Sequence, residues 1–287
     1  MKRKKIELFD VVVYAVITLV CIVMLYPFLN VIAVSFSDYT AYLKNPLMVI
    51  PSDFTLSAFQ FVFKDGQVLM AYANTVIVTV SGVLIGLALT ILMAYPLSRK
   101  HLKGRAVIMN LVIFSMMFSG GMIPSYYLIR SLKLIDSLWA VILPGAFSAY
   151  NMILMKNFLE ALPDSLMEAA QIDGASEPFI LVRIALPLCM PILATLCLFI
   201  AVQYWNGYFN AMLYIRDRSK WTLQLVLREI VLANVQNGNN DPAQENYVVS
   251  ISIKYASLLV VMLPIMLIYP FLQKYFVKGV MIGAVKG

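Results

Sequence analysis

The chain has 287 residues, 61% hydrophobic and only 13% charged, with a formal net charge of +7 and a mean hydropathy of +0.83. Soluble domains carry roughly 25% charged residues, so this composition excludes one and points to a membrane protein. The basic residues flank apolar runs instead of gathering on one face, a pattern of membrane topology and not of nucleic-acid binding.

A helix that crosses a bilayer needs roughly 20 mostly apolar residues. Six runs are candidates, 11–36, 70–97, 106–129, 138–155, 186–206 and 255–273, and none contains Lys, Arg, Asp or Glu. Backbone groups in lipid must be satisfied within the segment, so uninterrupted apolar runs predict helices and not a barrel. The expected fold is therefore an all-α polytopic membrane protein with six transmembrane helices. MKRKK precedes a run longer than the roughly 7–15 residues of a signal peptide, which predicts a retained first helix. Lys2 to Lys5 place the N-terminus in the cytoplasm, and six crossings put the 98–105 loop, the 156–186 loop and the C-terminal tail on the same side.

In chain order, the first helix leads to an outer segment, 37–69, with Pro46, Pro51 and a turn at Lys64-Asp65-Gly66. The third run contains Ser119-Gly120-Gly121 and Pro124, a break that either lines a cavity or lets helices approach closely. The 156–186 loop is acidic, with Glu160, Asp164, Glu168, Asp173 and Glu177. Ser165 and Glu168 have capping-box spacing and predict a short helix carrying Ala169 and Ala170. Asp173-Gly174 stops it, and Ser176 with Pro178 starts a second. Such an elbow suits docking into a basic cleft of a soluble partner, or else serves as a local loop. Beyond the fifth run, 221–235 spaces Leu223, Leu225, Val226, Ile230, Val231 and Leu232 helically, a face for the membrane surface or a partner. Cys21, Cys189 and Cys197 lie in apolar runs as packing residues.

No GxxxxGK[ST] phosphate loop is present. Gradient coupling relies on ionisable groups within the spans, and these spans have none. The only histidine, His101, falls in a basic loop, and no intramembrane hydrolase site is assembled. A transporter built this way takes its energy from another chain.

The segment with Pro163, Leu166, Glu168, Ala169, Ala170, Asp173, Gly174, Ala175, Ser176, Leu186, Pro187 and Pro191 resembles the EAA loop of the inner-membrane permease subunits of binding-protein-dependent ABC importers, the MetI-like permeases. GGMIPSY at 120–126, YWNGYF at 204–209 and the ending FVKGVMIGAVKG are similar to the carbohydrate branch, and within it to oligosaccharide permeases of the LplC/YtcP type. The resemblance covers roughly 70–287. It implies a permease core at 70–276 including the loop 160–187, preceded by 1–69 and followed by a cytoplasmic tail, 277–287. It further implies a bacterial inner membrane, a second permease subunit, two ATPase subunits that bind ATP and magnesium, an extracytoplasmic solute-binding protein and no cofactor in this chain. Glu168, Ala169, Ala170, Asp173, Gly174, Ala175 and Ser176 would then couple to an ATPase. The remaining polar residues of the spans become candidates for the path of an oligosaccharide. Gln203, Asn206 and Asn210 share one face of the fifth helix beside Trp205 and Tyr208, which also suits an interfacial aromatic belt. Asn74, Tyr150 and Asn151 are further candidates that interhelical hydrogen bonds would equally explain. Transport of another solute such as a peptide, or a scaffold that binds an ATPase and moves nothing, are the alternatives.

Overall fold

A computed structural model describes residues 8–64, 66–237 and 251–267. Among these the chain is helical, with no strand beyond a single bridge between Ser37 and Phe54. It divides into two units, 1–68 with 227–263, and 69–226 with 264–287.

In the first unit, α1 (Leu8–Ser35) is long and apolar enough to span a bilayer, and none of its most apolar window is buried. Lipid solvates such a surface, so no internal packing is required of it. Its end meets α2 (Tyr39–Lys44) and α3 (Ser57–Lys64), two short helices that flank an irregular stretch, 45–56. The Asp38 carboxylate caps α2 by accepting from the Thr40 amide at 3.1 Å. Asn30 Nδ2 donates to the Pro46 and Met48 carbonyls at 3.0 and 2.8 Å, over a small core of Ala33, Val34, Ala41 and Met48.

In the second unit, α4 (Gln67–Ser98) is the other continuous helix of membrane length. The fourth and fifth apolar runs are broken where continuous helices were expected, and the third breaks at the glycines that marked it in the sequence. The third is α5 (Arg105–Met117) and α6 (Met122–Ser131), bent by 113°. Phe118 is extended and Gly121 has φ +82, a conformation that excludes a helix and favours glycine. A Cβ on Gly120 or Gly121 would meet nothing within 4 Å, so these glycines serve the bend and not close packing within the chain. The fourth run is α7 (Trp139–Ile142), a 3-10 turn at Leu143–Gly145 and α8 (Ala149–Glu160). Pro144 lies in that turn, and extended Ser148 restarts the helix by accepting from the Asn151 amide.

After α9 (Asp164–Ile172), the fifth run opens early, at α10 (Glu177–Ile180), and continues through a π-helical stretch, Leu181–Ala185, and α11 (Leu186–Leu188). It bends by 84° before α12 (Met190–Trp205). Pro191 has no N–H to donate to the preceding turn, which explains a break at Cys189. Met152, Met155, Ile180, Cys189 and Leu196 are fully buried together in the main core of this unit. α13 (Phe209–Tyr214) and α14 (Leu223–Asn237) follow. Leu223, Leu225 and Val226 of the amphipathic segment are buried, so the start of that face packs inside the protein instead of on a membrane surface. Among the described residues, two continuous spans and two bent pairs qualify as crossings by length and composition. Lys2 to Lys5, the ending at 276–287 and the end of the sixth run lie outside the described residues.

Candidate functional site

α9 begins one residue ahead of the expected cap. Pro163, extended at ψ 122, precedes Asp164, so Ser165 is already helical and makes no capping box with Glu168. Asp164 places its carboxylate in the first turn, where a helix dipole favours it, and pairs with Lys100 at 3.7 Å on the surface. The other end is as expected. The Ala175 amide donates to the Ala170 carbonyl at 2.9 Å and the Gly174 amide to Gln171 at 3.0 Å, the paired bonds of a Schellman stop. Gly174 takes the left-handed conformation this stop needs, φ +80. Ser176, extended, then begins α10 with Glu177 and Pro178 in its first turn.

Two apolar side chains hold this elbow to the core, Met167 from one arm and Ile180 from the other. The rest faces out: Glu168, Ala169, Asp173, Gly174 and Ser176 are exposed, Ile172 is 86% exposed, and Ala170 and Ala175 are half-buried. The loop's acidity is largely consumed within the chain. Glu160 accepts from Lys156 Nζ at 2.8 Å and pairs with Arg105, whose Nε also donates to the Leu97 carbonyl at 2.8 Å. That neutralises Lys156, which is 8% exposed and costly to bury alone. Glu177 accepts from Tyr95 Oη at 2.6 Å and from Gln171 Nε2 at 2.7 Å. Only Glu168 and Asp173 of the five carboxylates stay exposed without an ion pair among the described residues. A cleft of about 260 Å³ beside the elbow is lined by Tyr95, Arg99, His101, Glu160, Glu168 and Glu177, which gives His101 an exposed place at its rim. Tyr95 and Gln171 were missed by sequence reasoning, and Glu177 was read only as one acid of the loop, because their partners lie in a different helix or across the turn.

The second cluster lies where α12 ends. Gln203, Asn206 and Asn210 converge on one cleft of about 250 Å³ with Tyr204, Gly207, Tyr208 and Phe209. They do so across a break and not along one helix, since α12 stops at Trp205 and α13 starts at Phe209. Asn206 Oδ1 accepts from Gln224 Nε2 at 3.3 Å. Four other path candidates do not line this cleft. Trp205 is buried edge-on against Tyr72, with centroids 5.6 Å apart. Asn74 uses both amide hydrogens on the Ser219 and Trp221 carbonyls, at 2.8 and 3.1 Å. Asn151 is buried and Tyr150 is 55% exposed. Asn74 and Trp205 are therefore packing and pinning residues.

Elsewhere in the second unit the chain is clasped by Asp136, held at φ +62. Its Oδ1 accepts from the Asp217 and Arg216 amides at 3.0 and 3.1 Å, and its Oδ2 and carbonyl accept from Lys220 Nζ. Lys220 is thus engaged, Arg218 lies over Trp221 at 5.1 Å, and Arg216 is exposed. The Asp217 amide above all, then the Arg216 amide and Lys220, hold the Asp136 carboxyl below its ordinary value of 3.8. A lowered value in the fold means that the clasp contributes fully above the ordinary value and is lost as pH falls through the lowered one. We expect the purified protein's melting temperature to fall on acidification from about pH 6 to about pH 3, less steeply in Asp136→Asn. An equal fall in that variant would assign the acid sensitivity elsewhere.

Apolar helices of membrane length, with an exposed elbow pinned from both sides, define a helical membrane protein. The chain belongs to the family of binding-protein-dependent transport system inner membrane components, whose model matches residues 82–282. It is 46% identical over 262 residues to Protein LplC of Bacillus subtilis (strain 168), across 91% of this chain and 89% of that one. It is 41% identical over 290 residues to the polygalacturonan/rhamnogalacturonan transport system permease protein YtcP of the same organism, across 99% of this chain and all of that one. A chain in the crystal structure of a bacterial ABC transporter involved in the import of the acidic polysaccharide alginate superposes with a TM-score of 0.85 at 30% identity, across 96% of this chain and 99% of that one.

Proposed function

We propose that this chain is a permease subunit of an ATP-driven importer of oligosaccharides in a bacterial plasma membrane. The observation that carries the proposal is the elbow at 164–180, whose left-handed Gly174 turn presents Glu168, Ala169, Ile172 and Asp173 outward from buried anchors. A rigid, exposed helix end on a chain without a nucleotide loop suits a groove on an ATPase partner. The family's dependence on a binding protein supports an extracytoplasmic partner that delivers solute, with a second permease completing the path. ATP and magnesium belong to the ATPase subunits, and this chain performs no covalent chemistry. The elbow and both termini lie on the cytoplasmic side in this reading, and the cleft of Gln203, Asn206 and Asn210 lies toward the outer side.

The names of two similar proteins concern polygalacturonan/rhamnogalacturonan and an acidic polysaccharide, which favours an acidic oligosaccharide over a neutral one. Amide side chains that both donate and accept suit a hydroxyl-rich chain, and Tyr208 offers a ring for the apolar face of a sugar.

The test is reconstitution with the co-purifying permease, ATPases and binding protein in proteoliposomes. ATP-dependent accumulation of labelled tetragalacturonate is expected, above that of maltotetraose. Accumulation of a peptide instead would reassign the solute, and ATP turnover with no accumulation would make the chain a scaffold. Asn206→Leu is expected to lower uptake about three- to tenfold while the ATPases still co-purify. Loss of the ATPases in that variant would mark Asn206 as structural.

A further inference from the structure

Besides the surface pair of Asp164 with Lys100, a chain of polar contacts ties the elbow to the inner end of α4. Arg99 Nη2 donates to Tyr95 Oη at 2.6 Å, and Tyr95 Oη donates onward to Glu177 Oε2 at 2.6 Å. Arg99 also approaches Glu177 directly at 3.5 Å and stacks on the Tyr95 ring at 4.8 Å from its centroid. Gln171, in the other arm of the elbow, donates to the second Glu177 oxygen at 2.7 Å. Glu177 therefore touches three elements at once: α4, α9 and its own helix α10. Tyr95 is 8% exposed, so its hydroxyl is fixed by burial as well as by its two partners. An acceptor that gathers a phenol, a guanidinium and an amide is a charge-assisted hub, stronger than separate neutral hydrogen bonds. None of these groups is needed to terminate α9, which the backbone already does at Gly174. The Tyr95 ring joins Met167 and Ile180 in the core, which leaves its hydroxyl, Arg99, Glu177 and Gln171 as groups that packing does not require.

We propose that Glu177, gripped by Tyr95, Arg99 and Gln171, is a positioning residue that locks the elbow to α4, so that force delivered to the elbow moves α4 with it. The inference rests on the reading of the elbow as the ATPase contact and adds the route by which movement leaves it. α4 carries Gly82 and Gly86 against Tyr204 and Ile200 of α12, so a rigid link at its inner end reaches the wall of the polar cleft within the same unit. Without the link the two arms of the elbow keep their turn but rotate about their apolar pins.

The deciding measurement is the distance between spin labels on Ser165→Cys, exposed at the start of the elbow and outside its docking side chains, and Lys103→Cys just beyond α4. It is made in the assembled importer, with Cys21, Cys189 and Cys197 replaced by alanine, before and after MgATP. The parent distance is expected to stay constant, whereas Tyr95→Phe and Glu177→Gln make it nucleotide-dependent with the ATPases still attached. Tyr95→Phe keeps the ring beneath Arg99 and removes only the hydroxyl. ATP hydrolysed per tetragalacturonate imported is expected to rise about three- to tenfold in each, and the double variant not to exceed the worse single one. Gln171→Ala, on the exposed face, removes one contact without disturbing the core and should give an intermediate ratio. A parent distance that changes with MgATP, or variants that keep the parent's distance and ratio, would overturn the lock. Failure of the parent to co-purify with ATPases would instead strike at the elbow's docking role.

Discussion

Gly174→Val is expected to leave the permease inserted and folded while cutting ATP-driven uptake at least about fivefold, the population change that roughly 1–2 kcal/mol of left-handed strain produces. At φ +80 a β-branched residue meets its own backbone, and the two bonds closing the turn, Ala175 to Ala170 and Gly174 to Gln171, are lost or stretched. A Cβ at this position would meet nothing within 4 Å, so crowding inside the chain plays no part. This separates two reasons for glycine. Asparagine tolerates the left-handed region, so Gly174→Asn should keep most uptake if the turn's conformation is what matters. Equal loss with asparagine and valine would show that a partner's surface fills the space beside Gly174. Normal uptake with valine would remove the elbow from the coupling route altogether. Detergent melting temperature should barely move in either variant, because the buried pins Met167 and Ile180 are untouched.

The second large effect is in the opposite region and of the opposite kind. Gly82→Ala would place a Cβ 2.3 Å from Cε2 and 2.4 Å from Cδ2 of Tyr204. That ring cannot step aside cheaply. It is 5% exposed and its hydroxyl donates to the Ile142 carbonyl at 2.6 Å. Gly145 closes the hydroxyl end, where a Cβ would come within 3.1 Å of Tyr204 Oη. Overpacking of a filled site costs about 1–3 kcal/mol and loss of the hydrogen bond about 1 kcal/mol more, so a destabilisation of about 2–4 kcal/mol is expected. Melting of the purified protein in detergent reads it, with Gly120→Ala as the control where space is open. Tyr204→Leu should relieve part of the cost, giving a double variant more stable than the sum of the singles predicts. Equal melting of Gly82→Ala and Gly120→Ala would mean that the Tyr204 ring is not seated against α4. Because Tyr204 also lines the polar cleft, uptake should fall with stability.

The elbow was legible because its signals are local. A glycine after Asp173 and a serine and proline just beyond are chemistry that acts within a few residues, and the fold places a stop and a restart there. The cap of α9 was read two residues late, at Ser165 instead of Pro163. Pro163 supplies the extended entry by its backbone alone, so the helix needs no hydroxyl cap at Ser165. Apolar runs marked where helices lie, and Gly120-Gly121 marked the bend in the third, but the bends at Pro144 and Pro191 act through missing donors that hydropathy does not register. Least legible were contacts between distant positions. Asn74 was read as a path residue or an interhelical hydrogen bonder, without the sequence naming the Ser219 and Trp221 carbonyls it bonds. Trp205 was read as a path or belt residue, without naming the Tyr72 ring it packs on. Glu160 and Glu177 likewise looked like part of an acidic docking face, and their charges are spoken for by Arg105, Lys156 and Arg99.

The division of labour in the elbow has a consequence for how such a protein is redirected. Met167 and Ile180 work as sunken rivets, while Glu168, Ala169, Ile172 and Asp173 answer to nothing in the interior. Under the docking role proposed above, a handful of outward side chains can be rewritten to address a different motor, with the scaffold beneath left as it stands.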